Sequence, residues 1–374
     1  MKNIMFFTHH LWGGGAEKTV CNISNYINRN YVDIKSYVCV VYDEPKIRPD
    51  VDNVIVLNNK TTSKTLIVLK PLVILKQINE LRNIKRKNNI DVCISFLPGA
   101  DLINVSSKVG EKTIVSVRNV ESFFLTNPLK KAYDQYSYKR CDKIVAVSNN
   151  VKRDLVDNFG VSEDKITTIY NAIDPVPEEK TCIKEYIDFI QDKYIFINVA
   201  RLAREKNQDV LIKAFYNVAK DKHNVGLVIV GAGAEEKALK ELVKKLELED
   251  KVLFTGKQPN PYDYLKKANA FVLSSQIEGM PNTLLEAMQC GLPCIATANA
   301  GAEVLAPSDY NDKVYDKMTI EKYGIVVPNE NVDELAKAMI LRYEKNIQRS
   351  DYARELLDEL SVEKIVRQWL DVIM

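Results

Sequence analysis

The chain has 374 residues, 46% of them apolar and 27% charged. That length favours two domains of a globular protein over one, and a net charge of +2 argues against bulk binding of nucleic acid, which would need a far larger basic excess. The charge is unevenly spread: residues 1–180 carry 26 basic against 20 acidic side chains, a modest surplus that suits an anionic acceptor or a membrane surface.

Seven cysteines, at 21, 39, 93, 141, 182, 290 and 294, are scattered and often lie inside apolar runs. Only Cys290 and Cys294 are close, with no partner pair or histidine beside them. The pattern predicts buried free thiols rather than a metal centre, in a reducing, cytoplasmic compartment. The opening MKNIMFFTHHLWGGG has too short an apolar run for a signal peptide and reads as a first strand. No stretch reaches the about 18 consecutive apolar residues of a membrane span.

In chain order, Asn3 to Thr8 reads as a buried strand, followed by His9, His10 and then Gly13-Gly14-Gly15-Ala16-Glu17. Val20, Ile23 and Ile27 next give a helix one buried face. Three glycines between strand and helix allow a ligand close to the backbone, or simply make a tight turn. Apolar runs at 35–42, 54–57, 91–96, 112–117, 143–148 and 166–170 alternate with helical patterns, the rhythm of a largely parallel sheet with helices on both faces.

Asp50-Val51-Asp52 is formally a metal-binding D-x-D. It sits among turn formers and reads as a solvated turn. No other metal cluster appears, so the expected chemistry is metal-independent. Residues 64–88 are apolar early and basic late, with Leu72, Leu75, Ile78 and Leu81 three apart among Lys76, Arg82, Lys85, Arg86 and Lys87. This is either an interfacial segment touching anionic lipid or a core-facing helix with a solvated basic end. Arg118, at the end of the 112–117 run, offers a guanidinium that would stabilise phosphate or leaving-group charge, unless it is an ordinary loop arginine.

Pro175, Pro177 and Glu178-Glu179-Lys180 read as a linker, dividing the chain into 1–176 and 177–359. The terminal helix, 360–374, carries Val362, Ile365, Trp369, Leu370 and Ile373 on one face. The second domain restarts at Tyr194 to Ala200. Arg201 and Lys206 follow, five apart, as a clamp for a diphosphate or as solvated surface. Gly231-Ala-Gly233 lacks the full dinucleotide fingerprint and gives nicotinamide chemistry little support.

The most informative stretch is Ser274 to Glu303, SSQIEGMPNTLLEAMQCGLPCIATANAGAE. Glu278 and Glu286 stand eight apart. Between them Gly279, Met280, Pro281 and Asn282 form a loop, and Thr283 and Leu284 enter a helix. A loop feeding a helix N-terminus beyond a strand suits a phosphate, and the carboxylates suit hydroxyls. Thr283 and Glu286 also fit a capping box.

This stretch, with EAMQCGLPCIAT behind it, resembles the E-x7-E signature of the retaining glycosyltransferases of family 4. GGGAEK, Asn171-Ala-Ile-Asp174-Pro175 and Arg201 to Asn207 resemble that family's glycine loop, closing element and G-R-L-x-x-E-K-N element, with Ala200 replacing the usual glycine. The resemblance implies a GT-B fold, two Rossmann-like doubly wound domains facing a cleft, with the C-terminal helix crossing back to the first. It implies a nucleoside diphosphate sugar co-substrate, here expected to be UDP-linked, and no other cofactor. Arg201 and Lys206 would hold the diphosphate, Glu286 the ribose and Glu278 the sugar. Gly14 and Gly15 would face the phosphates, and Gly256 with Gln258 the base. Arg118 stands where the family often has a histidine near the sugar, which removes a general base from the scheme. In the family's front-face mechanism the leaving phosphate takes the acceptor proton, and domain closure excludes water.

The expected function is therefore transfer of a hexose or N-acetylhexosamine to a glycan or lipid-linked acceptor, on a protein peripheral to the inner membrane face. A GDP-sugar mannosyltransferase, or an epimerase or hydrolase of the same fold, remains the alternative.

Overall fold

The computed structural model describes residues 1–11, 14–42, 51–57, 70–125, 127–178, 183–308, 313–346 and 349–374. Gly13, Asp50, residues 64–69, Glu179, Lys180 and Cys182 lie outside them. The chain divides into two compact units, Met1–Ala172 with Glu359–Met374, and Ile173–Asp358.

Unit 1 contains strands β1 (Lys2–Thr8), β2 (Ile34–Val40), β3 (Val54–Val56), β4 (Val92–Phe96), β5 (Lys112–Val117), β6 (Lys143–Ala146) and β7 (Ile166–Thr168). Helices α1 (Gly15–Asn30), α2 (Lys70–Lys87), α3 (Pro98–Ser106), α4 (Pro128–Arg140) and α5 (Asn149–Phe159) lie between them. Among the described residues the strand order is β3-β2-β1-β4-β5-β6-β7, and the pairs are parallel. The strands are apolar without alternation because helices cover both faces, and every residue of β4 is buried. On one face Met5, Phe7 and Cys93 pack with Leu81 of α2 and Ala100 and Ile103 of α3.

The basic end of α2 differs from expectation at one residue. Lys85 is not solvated: its side chain is wholly buried, 2.7 Å from the equally buried Glu111. It also donates to Asn104 Oδ1 at 2.8 Å and Ser107 Oγ at 2.9 Å. A buried ammonium is tolerated when its hydrogens are met in this way, and here it ties α2 to α3 and β5.

Unit 2 contains α6 (Lys184–Phe189), β8 (Tyr194–Val199), α7 (Gln208–Asp221), β9 (Val225–Val230), α8 (Glu236–Lys245), β10 (Val252–Gly256), α9 (Tyr262–Leu265) and β11 (Ala270–Leu273). It continues through α10 (Asn282–Gln289), β12 (Cys294–Thr297), α11 (Ala298–Leu305), β13 (Thr319–Glu321), β14 (Gly324–Val327), α12 (Val332–Lys345) and α13 (Arg354–Glu359). The order is β10-β9-β8-β11-β12-β14-β13, with β13 antiparallel to β14. Phe196, Phe215, Val218 and Met339 belong to one core cluster under α7 and α12.

Helix α14 (Val362–Ile373) returns to unit 1. It buries Ile365, Val366, Trp369, Leu370 and Ile373, and the Trp369 ring stacks 5.9 Å from that of Phe96. Lys2 and Lys112, at the amino ends of β1 and β5, donate to the carbonyls of Ile373 at 3.1 Å and Val372 at 2.6 Å. Both cations thus meet the negative end of the helix dipole.

Candidate active site

In unit 2 the strand order reverses between β8 and β11, and the loops leaving their carboxyl ends meet there, the position where open α/β sheets bind ligands. The β8 loop carries Arg201 to Asn207 and the β11 loop Ser274 to Pro281. Two hydrogen bonds to backbone carbonyls fasten one to the other: Gln276 N donates to Glu205 O at 2.8 Å, and Ser274 Oγ to Lys206 O at 2.8 Å. Asn207 takes a left-handed conformation, φ 48° and ψ 39°, which turns the chain from Lys206 into α7.

Two predicted site residues are brought into direct contact. Lys206 Nζ lies 2.7 Å from Glu278 Oε1, and Ser275 Oγ donates to the same oxygen at 2.7 Å. Arg201 is solvent-exposed and reaches Glu205 Oε1 at 2.6 Å. Burial alone would raise the Glu205 carboxyl; its backbone N–H and the Arg201 guanidinium outweigh this and hold it below the usual range. Each cation of the expected diphosphate clamp is therefore paired with a carboxylate of its own unit, a pairing that an anionic ligand would compete with.

The glycines after β9 have a packing role that the sequence did not disclose. Gly231 has φ +152°, and a Cβ there would stand 1.9 Å from the Ala200 carbonyl oxygen; at Gly233 it would stand 2.1 Å from that of Leu202. These contacts let Gly231 N donate to Gly256 O at 2.9 Å and Leu202 N to Ala232 O at 3.1 Å. The Arg201 loop is thus moulded against the β9 turn. Gly256 itself has φ +71°, and Gln258 Nε2 closes its turn onto Thr255 O at 2.6 Å.

Helix α10 begins at Asn282 after Pro281, with no side-chain cap, so Glu286 does not close a capping box with Thr283. The Asn282 amide donates to Met280 O and the Leu284 amide to Pro281 O, at 3.1 and 3.0 Å. Leu284, placed by the sequence at the helix entry among the donor-binding residues, has its side chain fully buried. Gly279, Met280, Asn282 and Thr283 are half-buried, and Pro281 is buried. Glu286 is half-buried near Tyr262, whose hydroxyl donates to Gln289 Oε1 at 2.6 Å. Burial first, and the Glu286 carboxylate second, push the Tyr262 phenol up. Tyr262 and Gln289 had no signal in the sequence.

In unit 1, Gly14 caps α1 and Gly15 begins it, both exposed. Gly14 has an ordinary φ of −71°, so no backbone strain requires a glycine there. The buried Glu17 accepts from Gly14 N at 2.9 Å and lies 2.9 Å from His10 Nδ1. Its position three residues after the cap was the available clue. His9 packs on Gly99, where a Cβ would come within 2.6 Å of its ring, and burial lowers it to about 4. Arg118 is buried, not a surface loop residue. It donates to Asn171 Oδ1 and to Ser116 Oγ, and its guanidinium lies 5.6 Å from the Phe96 ring centroid. Burial lowers it to about 9.

Two family models match the chain: "Glycosyltransferase Family 4" over residues 13–176 and "Glycosyl transferases group 1" over 180–355. An uncharacterized glycosyltransferase of Methanocaldococcus jannaschii is 30% identical over 88% of this chain and 90% of its own length. The chain belongs to the glycosyltransferases. Among other members of this group is the N-acetylgalactosamine-N,N'-diacetylbacillosaminyl-diphospho-undecaprenol 4-alpha-N-acetylgalactosaminyltransferase of Campylobacter jejuni. It is 26% identical over 94% of this chain and 93% of its own. The glycosyltransferase fold is shared with Anabaena HepE, solved in complex with UDP and glucose: TM-score 0.77 at 17% identity, over 100% of this chain and 99% of that one. The two parallel-sheet domains are of the GT-B type.

Proposed function

We propose that this glycosyltransferase moves a hexose or N-acetylhexosamine from a UDP-sugar to a hydroxyl of a lipid-linked surface-glycan intermediate, with retention at the anomeric carbon and without a metal ion. The observation that carries it is the junction of the β8 and β11 loops, where Lys206, Glu278 and Ser275 converge at 2.7 Å. Lys206 and Arg201 offset diphosphate charge as it develops on the leaving group. Glu278 accepts from sugar hydroxyls and Glu286 from the ribose. The acceptor oxygen bonds to the anomeric carbon as the bond to the phosphate oxygen breaks, and that leaving oxygen takes the acceptor proton. No protein base is required.

The UDP bound by the Anabaena protein supports the nucleotide, and the diphospho-undecaprenol acceptor in the name of the Campylobacter enzyme supports the lipid-linked glycan. A reducing, cytoplasmic location agrees with the free cysteines among the described residues, of which Cys21, Cys39, Cys93, Cys141 and Cys294 are buried thiols.

The test is thermal stability against UDP, GDP and a panel of nucleotide sugars. A ligand at 100 times its dissociation constant adds about 2.7 kcal/mol. A shift with UDP or one UDP-sugar, lost in Glu286→Ala and Arg201→Ala, is expected. A shift with GDP alone would change the donor, and none with any nucleotide would overturn the site. Turnover in EDTA and the anomeric configuration of the product test metal independence and retention. Release of free sugar or an epimer without acceptor would overturn transfer.

A further inference from the structure

The hydroxyl of Tyr262 stands near the carboxylate assigned to the ribose, yet it gives its hydrogen elsewhere. Tyr262 is buried and opens α9, which packs on α10. Gln289 lies three residues after Glu286 in α10, so the two side chains share a face of the helix, about one turn apart. The phenol donates to Gln289 Oε1 at 2.6 Å, and Gln289 Nε2 donates to the Asp174 carbonyl oxygen at 2.9 Å.

The direction of both bonds is forced. A carbonyl oxygen cannot donate, so the Gln289 nitrogen must face Asp174 and its oxygen must face Tyr262. That oxygen only accepts, so the phenol must donate. Burial holds the phenol protonated, and a phenol has a single hydrogen. With that hydrogen committed to Gln289, Tyr262 can turn only lone pairs toward Glu286. The anchor is itself restrained, because Pro175 follows Asp174 and keeps its backbone out of the helical region.

The consequence falls on what Glu286 can bind. A ribose brings two hydroxyls, each a donor, and a protein hydrogen directed at the same carboxylate competes with them. Without the Gln289 amide, the buried Tyr262 hydroxyl would be left with no acceptor, which is costly. It would rotate toward the charge that weighs on it most, the Glu286 carboxylate. A ribose would then have to displace a charge-assisted bond. Taking the ribose assignment of Glu286 from the proposed function, we infer that Gln289 is a positioning residue for donor binding. Anchored on the Asp174 carbonyl, it holds the Tyr262 hydroxyl away from Glu286 and so keeps that carboxylate an acceptor for the hydroxyls of the nucleotide.

The experiment is calorimetric binding of UDP and of GDP to the full chain as wild type, Gln289→Met, Tyr262→Phe, the double variant and Glu286→Ala. The two nucleotides share the ribose, so the base does not decide the outcome. Methionine keeps the length of glutamine without its amide, and melting temperatures show that the variants are folded. Gln289→Met should weaken affinity at least about tenfold, and the double variant should bind as tightly as Tyr262→Phe alone. A glutamine that merely braced the fold would lower the melting temperature and leave the affinity of the folded protein in place. It would also give no recovery when a second side chain is truncated. Gln289→Met binding like wild type, or a double variant no tighter than Gln289→Met, overturns the inference alone, provided that Glu286→Ala still loses the nucleotide. Binding of neither nucleotide by wild type, or undiminished binding by Glu286→Ala, overturns the ribose assignment and the role of Gln289 with it.

Discussion

Lys206 and Glu278, 72 residues apart in the chain, share one short contact of 2.7 Å, and Ser275 holds the same carboxylate oxygen. The pair is about one-sixth exposed on each side, and Ser275 would keep its bond to Glu278 without the lysine, so removing the lysine costs folding on the order of 1–2 kcal/mol. Lys206→Met is therefore expected to melt near wild type while turnover falls by about 100- to 1,000-fold, the usual cost of one donor lost from a charge-stabilising site. Side-by-side melting and steady-state assays check it. A large fall in melting temperature with activity preserved would make the pair structural.

Gly231→Ala should behave in the opposite sense. Its Cβ would be driven to 1.9 Å from Ala200 O at a φ of +152°, which costs about 3 kcal/mol and displaces the Arg201 loop. Denaturant unfolding and the response to UDP should fail together. Gly14→Ala, with only ordinary contacts to Glu17 at 3.7 Å, is expected to unfold like wild type, and any loss of turnover would then report blocked access.

A buried acidic group in unit 1 sets a pH dependence. Burial raises Glu121 to about 7 and Asp134 to about 6, with Lys130 opposing both, and it also raises Asp101. Acids raised on folding hold protons that the unfolded chain releases, so their stabilising contribution is full below the unfolded values and lost as pH rises through 6 and 7. Glu121→Gln should match wild type near pH 4 and exceed it at pH 8 by on the order of 2 kcal/mol. Urea midpoints across that range decide it, and parallel curves for the two proteins would refute it.

Trp369 is fully buried and stacked on Phe96. Trp369→Ala should cost about 3–5 kcal/mol. Protease sensitivity should rise in unit 1, not in unit 2, and uniform loss across both would argue against the packing described.

Most strands were legible because parallel strands covered on both faces are unbroken apolar runs, such as Val92–Phe96 and Val225–Val230. β13 and β14 were not picked out. β13 is three residues with Ile320 exposed, so it carries neither a run nor a clean alternation. The site residues were legible as a motif, but their pairing was not. Lys85 shows why: nothing near it in the chain announces that Glu111 and Asn104 will enclose its ammonium. Arg118 likewise was legible as a strand-end guanidinium but not as a buried one, since its neighbours Asn171 and Phe96 arrive from other strands' ends.

The return of α14 to unit 1 has a bearing on how the protein is made. A chain leaving the ribosome presents Met1–Ala172 first, then the whole of unit 2, and only at the end the helix that covers Phe96. Until residue 373 emerges, the patch around Phe96 stays open to water and to other nascent chains. The first unit to be synthesised is thus the last to be completed, and a stop codon before Trp369 would leave both Phe96 and the lysines at positions 2 and 112 without the partners they hold in the finished molecule.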